Sequence, residues 1–420
     1  MKKKIWIMNH YAGQMYFNKG GRHYWFAKYL KRNGYEPVVF ASNAMHGSEE
    51  FYYSDKRLFF EKNATEIDVP FVFIKSRTYK GNGIKRVLNM IDFYRNVKRA
   101  APKYVKKYAE PDIILASSVH PLTMIAGLQL AKRYNVKCIC EVRDLWPEAI
   151  VAYSKNLNKF KLFTWCLYRG ERWIYKNADA LIFTQEGGAE SIREKGWSSE
   201  QGGPVDMKKV YHINNGVDLE AFDANKQNYW LDDVDLDDSS IFKVIYAGAI
   251  RRINNLGIVL DIAKEIQNPQ IKFYIYGDGE ELEFLTKRVK NEKITNVIFK
   301  GNVNKQYIPS IVSRADLNLV HWEMNMLLHV GESYNKAFEY FAAGKPVFYT
   351  VRPGYSIAER YQCGKITDGF EIKDLVNGIE KMACMSQEEK DVMSKNARKT
   401  AELYDFTNHT EQLMKIIENV

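Results

Sequence analysis

Short apolar runs alternate along nearly the whole chain with longer stretches whose apolar residues recur every three or four positions. The short runs, bounded by turn chemistry, predict buried strands, and the longer period predicts helices packed on them. In the first half, residues 4–9 predict a strand, 10–20 a loop and 21–33 a helix. That helix places Tyr24, Trp25, Ala27, Tyr29 and Leu30 at helical spacing, and Gly34 ends it. Strands follow at 37–41, 71–75, 112–116, 136–142 and 180–184, with helices at 122–134, 160–176 and 188–195. The second half repeats the alternation. Its strands are predicted at 242–246, 271–276, 297–300, 317–321 and from Val347, its helices at 256–266, 280–289 and 306–312, and 356–420 reads as mainly helical. This alternation is the signature of parallel sheets wound with helices, so an α/β chain with two doubly wound, Rossmann-like domains is expected.

Length agrees, since 420 residues exceed one ordinary domain. The join is expected in 197–241, where Gly202-Gly203-Pro204 and the acidic run 232–240 are loop chemistry. That run lacks the glycine and spaced ligands of a calcium loop. The expected domains are 1–205, 206–400 and a C-terminal helix at 401–420 that can return to the N-terminal domain. Charge divides along the same line: residues 1–200 hold 34 Lys+Arg against 19 Asp+Glu, and 201–420 hold 27 against 32. Five scattered cysteines make no zinc spacing or disulfide framework. The apolar run after the basic start is too short for a signal-peptide core, and no stretch approaches a membrane span. A cytoplasmic setting is expected.

Residues 331–347 carry the densest candidate chemistry: a glycine-started loop, a short helix, a glycine stop and a strand. Ser333 or Asn335 can cap the helix, Gly344 suits a left-handed C-terminal residue, and Pro346 prevents continuation. Its unpaired N–H groups and dipole favour an anion, and Lys336 adds a full charge. Glu339, further along, suits a group that donates hydroxyl protons, such as a ribose. Taken alone, the segment fits a capped surface helix as well as a nucleoside diphosphate site.

Lys19-Gly20-Gly21 precedes the first helix, and glycine-rich strand ends accompany the 331–347 segment at Asn215-Gly216-Val217-Asp218, Tyr246-Ala247-Gly248, Gly277-Asp278-Gly279 and Lys300-Gly301-Asn302-Val303. In this order and spacing the set resembles the retaining nucleotide-sugar glycosyltransferases of the GT-B fold, specifically glycosyltransferase family 4. Ser117-Ser118-Val119-His120-Pro121 and 141–148 resemble the subgroup that builds bacterial capsule, O-antigen or exopolysaccharide repeats. The resemblance implies two Rossmann-like domains facing across a cleft, the C-terminal one for the donor and the N-terminal one for the acceptor. It implies transfer of a hexosyl or N-acetylhexosaminyl group, with retention, from a nucleotide-diphosphate sugar to a glycan or polyprenyl-diphosphate-linked saccharide. Uridine is the base expected from family habit.

By the same resemblance Glu339 holds the ribose, the backbone at Ser333, Tyr334, Asn335 and Lys336 the diphosphate, and Gly301, Asn302 and Val303 the base. Gly21 and Gly248 allow close backbone approach. His120 lies beside the donor sugar, although a histidine capping the following helix would look the same. Asp144 orients or deprotonates the acceptor hydroxyl, unless it serves a structural salt bridge. Two positions depart from the family pattern. Gly331 stands where a second glutamate is usual, eight before Glu339, and Ala249 and Asn254 stand where Arg and Lys are usual. Arg251 and Arg252, together with Lys336, are the expected replacements, stabilising the departing diphosphate. With no Asp-x-Asp motif at a strand end, no cofactor or metal is expected.

Between Lys75 and Lys107, eleven basic residues face one acid, Asp92, with aromatic and aliphatic residues interleaved. A solvated helix face explains this, as does docking on an anionic membrane, which would make the protein peripheral at the inner face of a bacterial membrane. Nucleic acid is not expected, because no recognised binding module accompanies the charge. The other readings open at this point are a nucleotide-sugar epimerase and a non-catalytic nucleotide-sugar-binding protein of the same fold. No G-x-G-x-x-G follows the first strand, which disfavours a Rossmann dehydrogenase.

Overall fold

The computed structural model describes residues 2–54, 56–118, 120–148, 161–323 and 328–420. Val119 of the 117–121 motif and Phe160 of the expected helix at 160–176 lie outside them. The chain forms two compact units, Met1–Asn214 with Phe406–Val420, and Asn215–Asp405.

The first unit is built on a sheet of β1 (Lys4–Met8), β2 (Glu36–Ser42), β3 (Phe59–Ala64), β4 (Val69–Ile74), β5 (Ile113–Ser117), β6 (Lys137–Val142), β7 (Ala180–Phe183) and β8 (Val210–His212). Their order is β3-β4-β2-β1-β5-β6-β7-β8. All neighbours are parallel except β3, which runs antiparallel to β4 with Phe60 opposite Phe73. The apolar pattern missed β3 because Glu61, Lys62 and Asn63 interrupt it. An edge strand needs only one buried side, and its charges discourage further pairing. The buried faces of β1 and β5 are almost wholly apolar, as a strand covered on both sides requires.

Two boundaries follow from pairing rather than from composition. β8 pairs with β7, Leu181 opposite Val210, so the first unit runs past 205 to Asn214. The helix Phe406–Asn419 lies in the first unit, with Phe406 edge-on to Phe26 at 5.5 Å and Leu413, Ile416 and Ile417 buried. The expected loop at 10–20 contains a short helix, Gly13–Phe17.

The second unit carries a parallel sheet of β9 (Phe242–Ala247), β10 (Ile271–Tyr276), β11 (Val297–Gly301), β12 (Leu317–Val320), β13 (Val347–Tyr349) and β14 (Gly364–Ile366), ordered β11-β10-β9-β12-β13-β14. β14 has no extended apolar run. It forms because Gly364 lets the strand approach β13, where a Cβ would lie 2.3 Å from the Val347 carbonyl oxygen. The acidic run, expected as loop, includes the helix Val234–Asp237 and is tied to the sheet by cations. Lys300 Nζ donates to Asp233 and Asp235 at 2.7 and 2.6 Å, and Arg314 to Asp237 at 3.0 Å. Both units are therefore α/β with mainly parallel sheets and helical connections.

Candidate active site

In the second unit the helix Asn335–Ala342 is reached from the 3-10 helix Leu328–Val330 through Gly331, whose φ of 111° favours glycine. Tyr334, not Ser333 or Asn335, is the N-cap, and no side chain caps the helix. Ser333 is engaged elsewhere: its carbonyl accepts from Asn215 Nδ2 at 2.7 Å and its hydroxyl from the Asn215 N–H at 3.4 Å. Tyr334 leans on Trp322 with ring centroids 4.0 Å apart. The first turn is thus without a side-chain cap, which favours an anion at this helix start. Gly344, at φ 63°, closes the helix in the left-handed conformation, as the sequence implied.

Lys336 points back from this first turn to the end of β9. Its Nζ donates to the Tyr246 hydroxyl at 2.8 Å, lies 4.1 Å from that ring's centroid, and sits 3.3 Å from where a Cβ on Gly248 would be. Tyr246 in turn donates to the Ala249 carbonyl at 3.0 Å. Burial pulls the Lys336 ammonium down to about 7, because no carboxylate compensates for lost water. Tyr340, on the same helix, accepts from the Ala247 N–H at 2.9 Å, fixing the helix to that strand end.

Backbone alone builds the rest of this surface. Gly248 N–H donates to the Tyr276 carbonyl, Ile250 N–H to Asp278 and Gly277 N–H to Gly301, at 2.9, 2.9 and 2.8 Å. The loops after β9, β10 and β11 are thereby laced side by side. Gly277 and Gly279 are required there: a Cβ would lie 1.9 Å from the Gly248 carbonyl oxygen and 2.2 Å from that of Ile250. At the end of β11, Gly301 has φ 75°, Asn302 is exposed and Val303 packs on the core. Glu339 is half-buried, 3.6 Å from Lys305 Nζ. Arg251 and Arg252 are exposed and make no ion pair among the described residues. Glu332 takes a different course from Glu339. It is buried, accepts from the Ile357 N–H at 2.8 Å, and burial raises its carboxyl to about 7.

In the first unit His120 occupies the N-cap position of the helix Pro121–Tyr134 without its ring capping it. Its Nε2 instead meets His10 Nδ1 at 2.6 Å, and the His10 ring stacks on Phe93 at 4.5 Å. Burial pulls His120 down to about 3, with the Arg86 charge adding to it, and it pulls His10 down as well. Both rings are neutral at physiological pH. Asp144 follows Arg143, whose N–H donates to Ser118 Oγ at 3.0 Å.

Sequence reasoning missed a buried cluster beside this group. Arg22 Nε donates to Glu141 Oε1 at 2.7 Å, while His23 Nε2 and Ser117 Oγ donate to Oε2 at 2.9 and 2.6 Å. Asn9 Nδ2 donates to His23 Nδ1 at 2.8 Å, fixing the tautomer that gives Glu141 its proton donor. Arg22 also binds the carbonyls of Ile213 and Asn214 at 2.9 and 2.5 Å. Burial works to raise Glu141, but Arg22, His23 and Ser117 outweigh it and hold the carboxyl well below its usual range. Gly21, at φ 119°, starts the helix Arg22–Arg32 that brings Arg22 and His23 inward. The available signal was Glu141 at the head of the 141–148 motif, and two adjacent basic residues directly after a glycine pair.

Residues 24–221 match the family described as Glycosyltransferase Family 4, and residues 237–400 the one described as Glycosyl transferases group 1. Fold and matches together define a glycosyltransferase of the GT-B type. Among particular relatives, a Bacillus subtilis (strain 168) protein bearing the name of a teichuronic acid biosynthesis glycosyltransferase, TuaH, is 23% identical over 290 residues. That match spans 66% of each chain, just under two thirds of the relative's length. Sucrose-phosphate synthase from Thermosynechococcus elongatus superposes with a TM-score of 0.72 at 15% identity, covering 100% of this chain and 99% of that one. HepE of Anabaena in complex with UDP gives 0.62 at 14% identity, with both chains covered completely. Among the described residues no helix is long and apolar enough to cross a membrane.

Proposed function

We propose that the protein transfers a hexosyl or N-acetylhexosaminyl group, with retention, from a UDP-sugar to a growing cell-surface glycan or its polyprenyl-diphosphate-linked precursor. The observation that carries this is the uncapped first turn of Asn335–Ala342, with a buried ammonium behind it and a backbone-laced glycine surface beside it. The diphosphate takes the N–H groups at Ser333, Tyr334, Asn335 and Lys336, Glu339 takes the ribose hydroxyls, and Gly301, Asn302 and Val303 meet the base. Gly248 and Gly21 admit ligand close to backbone. Arg251 and Arg252, exposed on the loop after β9, neutralise the departing diphosphate. No metal or cofactor takes part in this reading.

The first unit supplies the acceptor site. His120, held neutral by burial and oriented by His10, positions the donor sugar through its remaining ring nitrogen. Asp144 orients the acceptor hydroxyl. That oxygen forms the new bond to the anomeric carbon as the bond to the diphosphate breaks, and its proton passes to the departing phosphate oxygen. The HepE complexes with UDP and with UDP-glucose, and teichuronic acid in the name of the Bacillus relative, support the donor and the product class.

The basic segment adds a membrane proposal. The helix Ile84–Lys107 and its C-cap expose Ile84, Val87 and Tyr108 beside Lys85, Arg95, Arg99, Lys103 and Lys106, a mixture suited to anionic headgroups at a cytoplasmic surface. The donor reading is tested by binding UDP, GDP and ADP to the protein. Preference for UDP is expected, and no binding of any nucleotide would overturn it. Equal sedimentation with anionic and neutral vesicles would remove the membrane part.

A further inference from the structure

We propose that Arg86 and Arg143 form an anion-binding subsite in the first unit, which grips a phosphate or carboxylate carried by the acceptor beside Asp144. The proposal rests on the reading of this unit as the acceptor site and names the class of acceptor it takes. Arg86 lies in the first turn of Ile84–Lys107, with Nη1 donating to Asn82 Oδ1 at 2.7 Å and a buried Nε that has no hydrogen-bond partner. Arg143 follows β6, anchored through its backbone to Ser118 and to Thr184 Oγ1 at 3.0 and 3.2 Å, and its Nε is likewise buried and unpartnered.

Many other arginines of this chain behave differently. Arg22, Arg77, Arg193, Arg288, Arg314, Arg352 and Arg398 each pair with a carboxylate. Arg86 and Arg143 have no ion pair among the described residues, although a buried guanidinium donor left unsatisfied is costly. A planar fork of donors matches the oxygens of phosphate or carboxylate, which would recover that cost.

Three further observations place the pair at the reaction site. Phe93, two turns along from Arg86, stacks on His10, which holds His120. His120 is 1% exposed with an unpartnered Nδ1, the atom assigned above to the donor sugar, and the Arg86 charge acts on its ring. Asp144 is exposed on the loop after β6, and the charges of Arg143 and then Arg86 both favour its ionised form, so one carboxylate feels both arginines. A negatively charged acceptor would approach Asp144 only with such compensation.

The test uses the full chain saturated with UDP, so that the nucleotide site is filled. Inorganic phosphate, D-glucuronate and, as the uncharged control, glucose are titrated by calorimetry against wild type, R86Q, R143Q and R86K. Binding of phosphate or glucuronate is expected, weakened about tenfold by R86Q and by R143Q and less by R86K, with UDP affinity unchanged. The preferred anion tells a phosphorylated acceptor from a uronic acid. Failure of both anions to bind, equal binding of glucose, or unchanged affinity in R86Q and R143Q would overturn the subsite. If R86Q does not fold, R143Q alone decides between these outcomes. Loss of UDP binding in wild type would sink the donor reading alone, and titration without UDP would still test the arginines.

Discussion

Lys336 offers the sharpest check on where the diphosphate goes. Its ammonium is held by a tyrosine hydroxyl and ring, and burial lowers it to about 7. A diphosphate beside it would stabilise the charged form and return the pKa toward the ordinary lysine value of about 10.4. Binding must therefore take up a proton wherever the unliganded group is neutral. With a pKa near 7, about half the molecules take up a proton at pH 7 and about nine in ten at pH 8. UDP affinity should fall about tenfold per pH unit between pH 8 and 9, where the nucleotide's own phosphate, of pKa about 6, no longer titrates. Calorimetry at pH 8 in two buffers of different ionisation enthalpy reads the uptake directly. Wild type should take up close to one proton and K336M none, with UDP binding weakened by about 2 kcal/mol in the variant at pH 6.5, the worth of a hydrogen bond to a charged group. Buffer-independent heats in wild type would refute the placement of Lys336. The sign for folding is opposite to that for binding. The folded pKa is depressed, so the unfolded chain holds more protons between about pH 7 and 10.4, and the unliganded fold gains stability as pH rises through that window.

Three further outcomes follow from the same geometry. Glu339→Ala should weaken UDP about tenfold while leaving the thermal midpoint within a few degrees, and unchanged affinity would mean that the ribose lies elsewhere. Gly277→Ala would put its Cβ 1.9 Å from the Gly248 carbonyl oxygen at φ 143°, so a stability loss of about 3 kcal/mol or more in urea titration is expected, with nucleotide binding lost alongside. Glu141→Gln leaves Arg22 buried without its counter-charge and should cost about 3–5 kcal/mol by the same measurement, whereas a loss under about 1 kcal/mol would show the cluster to be unimportant for the fold.

The apolar pattern made most strands legible because a parallel strand buried on both faces must be a continuous apolar run. It failed where burial was partial or where pairing was licensed by something other than hydrophobicity. β3 is a charged edge, and β14 depends on one glycine that permits close approach. The acidic run 232–240 looked like linker because its partners, Lys300 and Arg314, lie far away in sequence. At the site, the glycine strand ends and the helix near Lys336 could be found because their chemistry is local. The capping side chain was misjudged, since Ser333 is taken by Asn215, more than a hundred residues earlier. The Arg22, His23 and Glu141 cluster, and the buried, unpartnered Nε atoms of Arg86 and Arg143, are properties of folded neighbours that no spacing reveals.

The discontinuity of the first unit has a consequence for the order in which this protein matures on the ribosome. Domains generally fold as they are made, amino-terminal first. Here the unit that starts first cannot finish first, because Phe406, Leu413, Ile416 and Ile417 of its core are synthesised after every residue of the second unit. Asn215–Asp405 can complete its own sheet while the earlier sheet still exposes apolar surface around Phe26 and Leu30, which the helix Phe406–Asn419 later covers. During synthesis that face stays uncovered until the last helix emerges, and a truncation before Phe406 would leave it exposed for good.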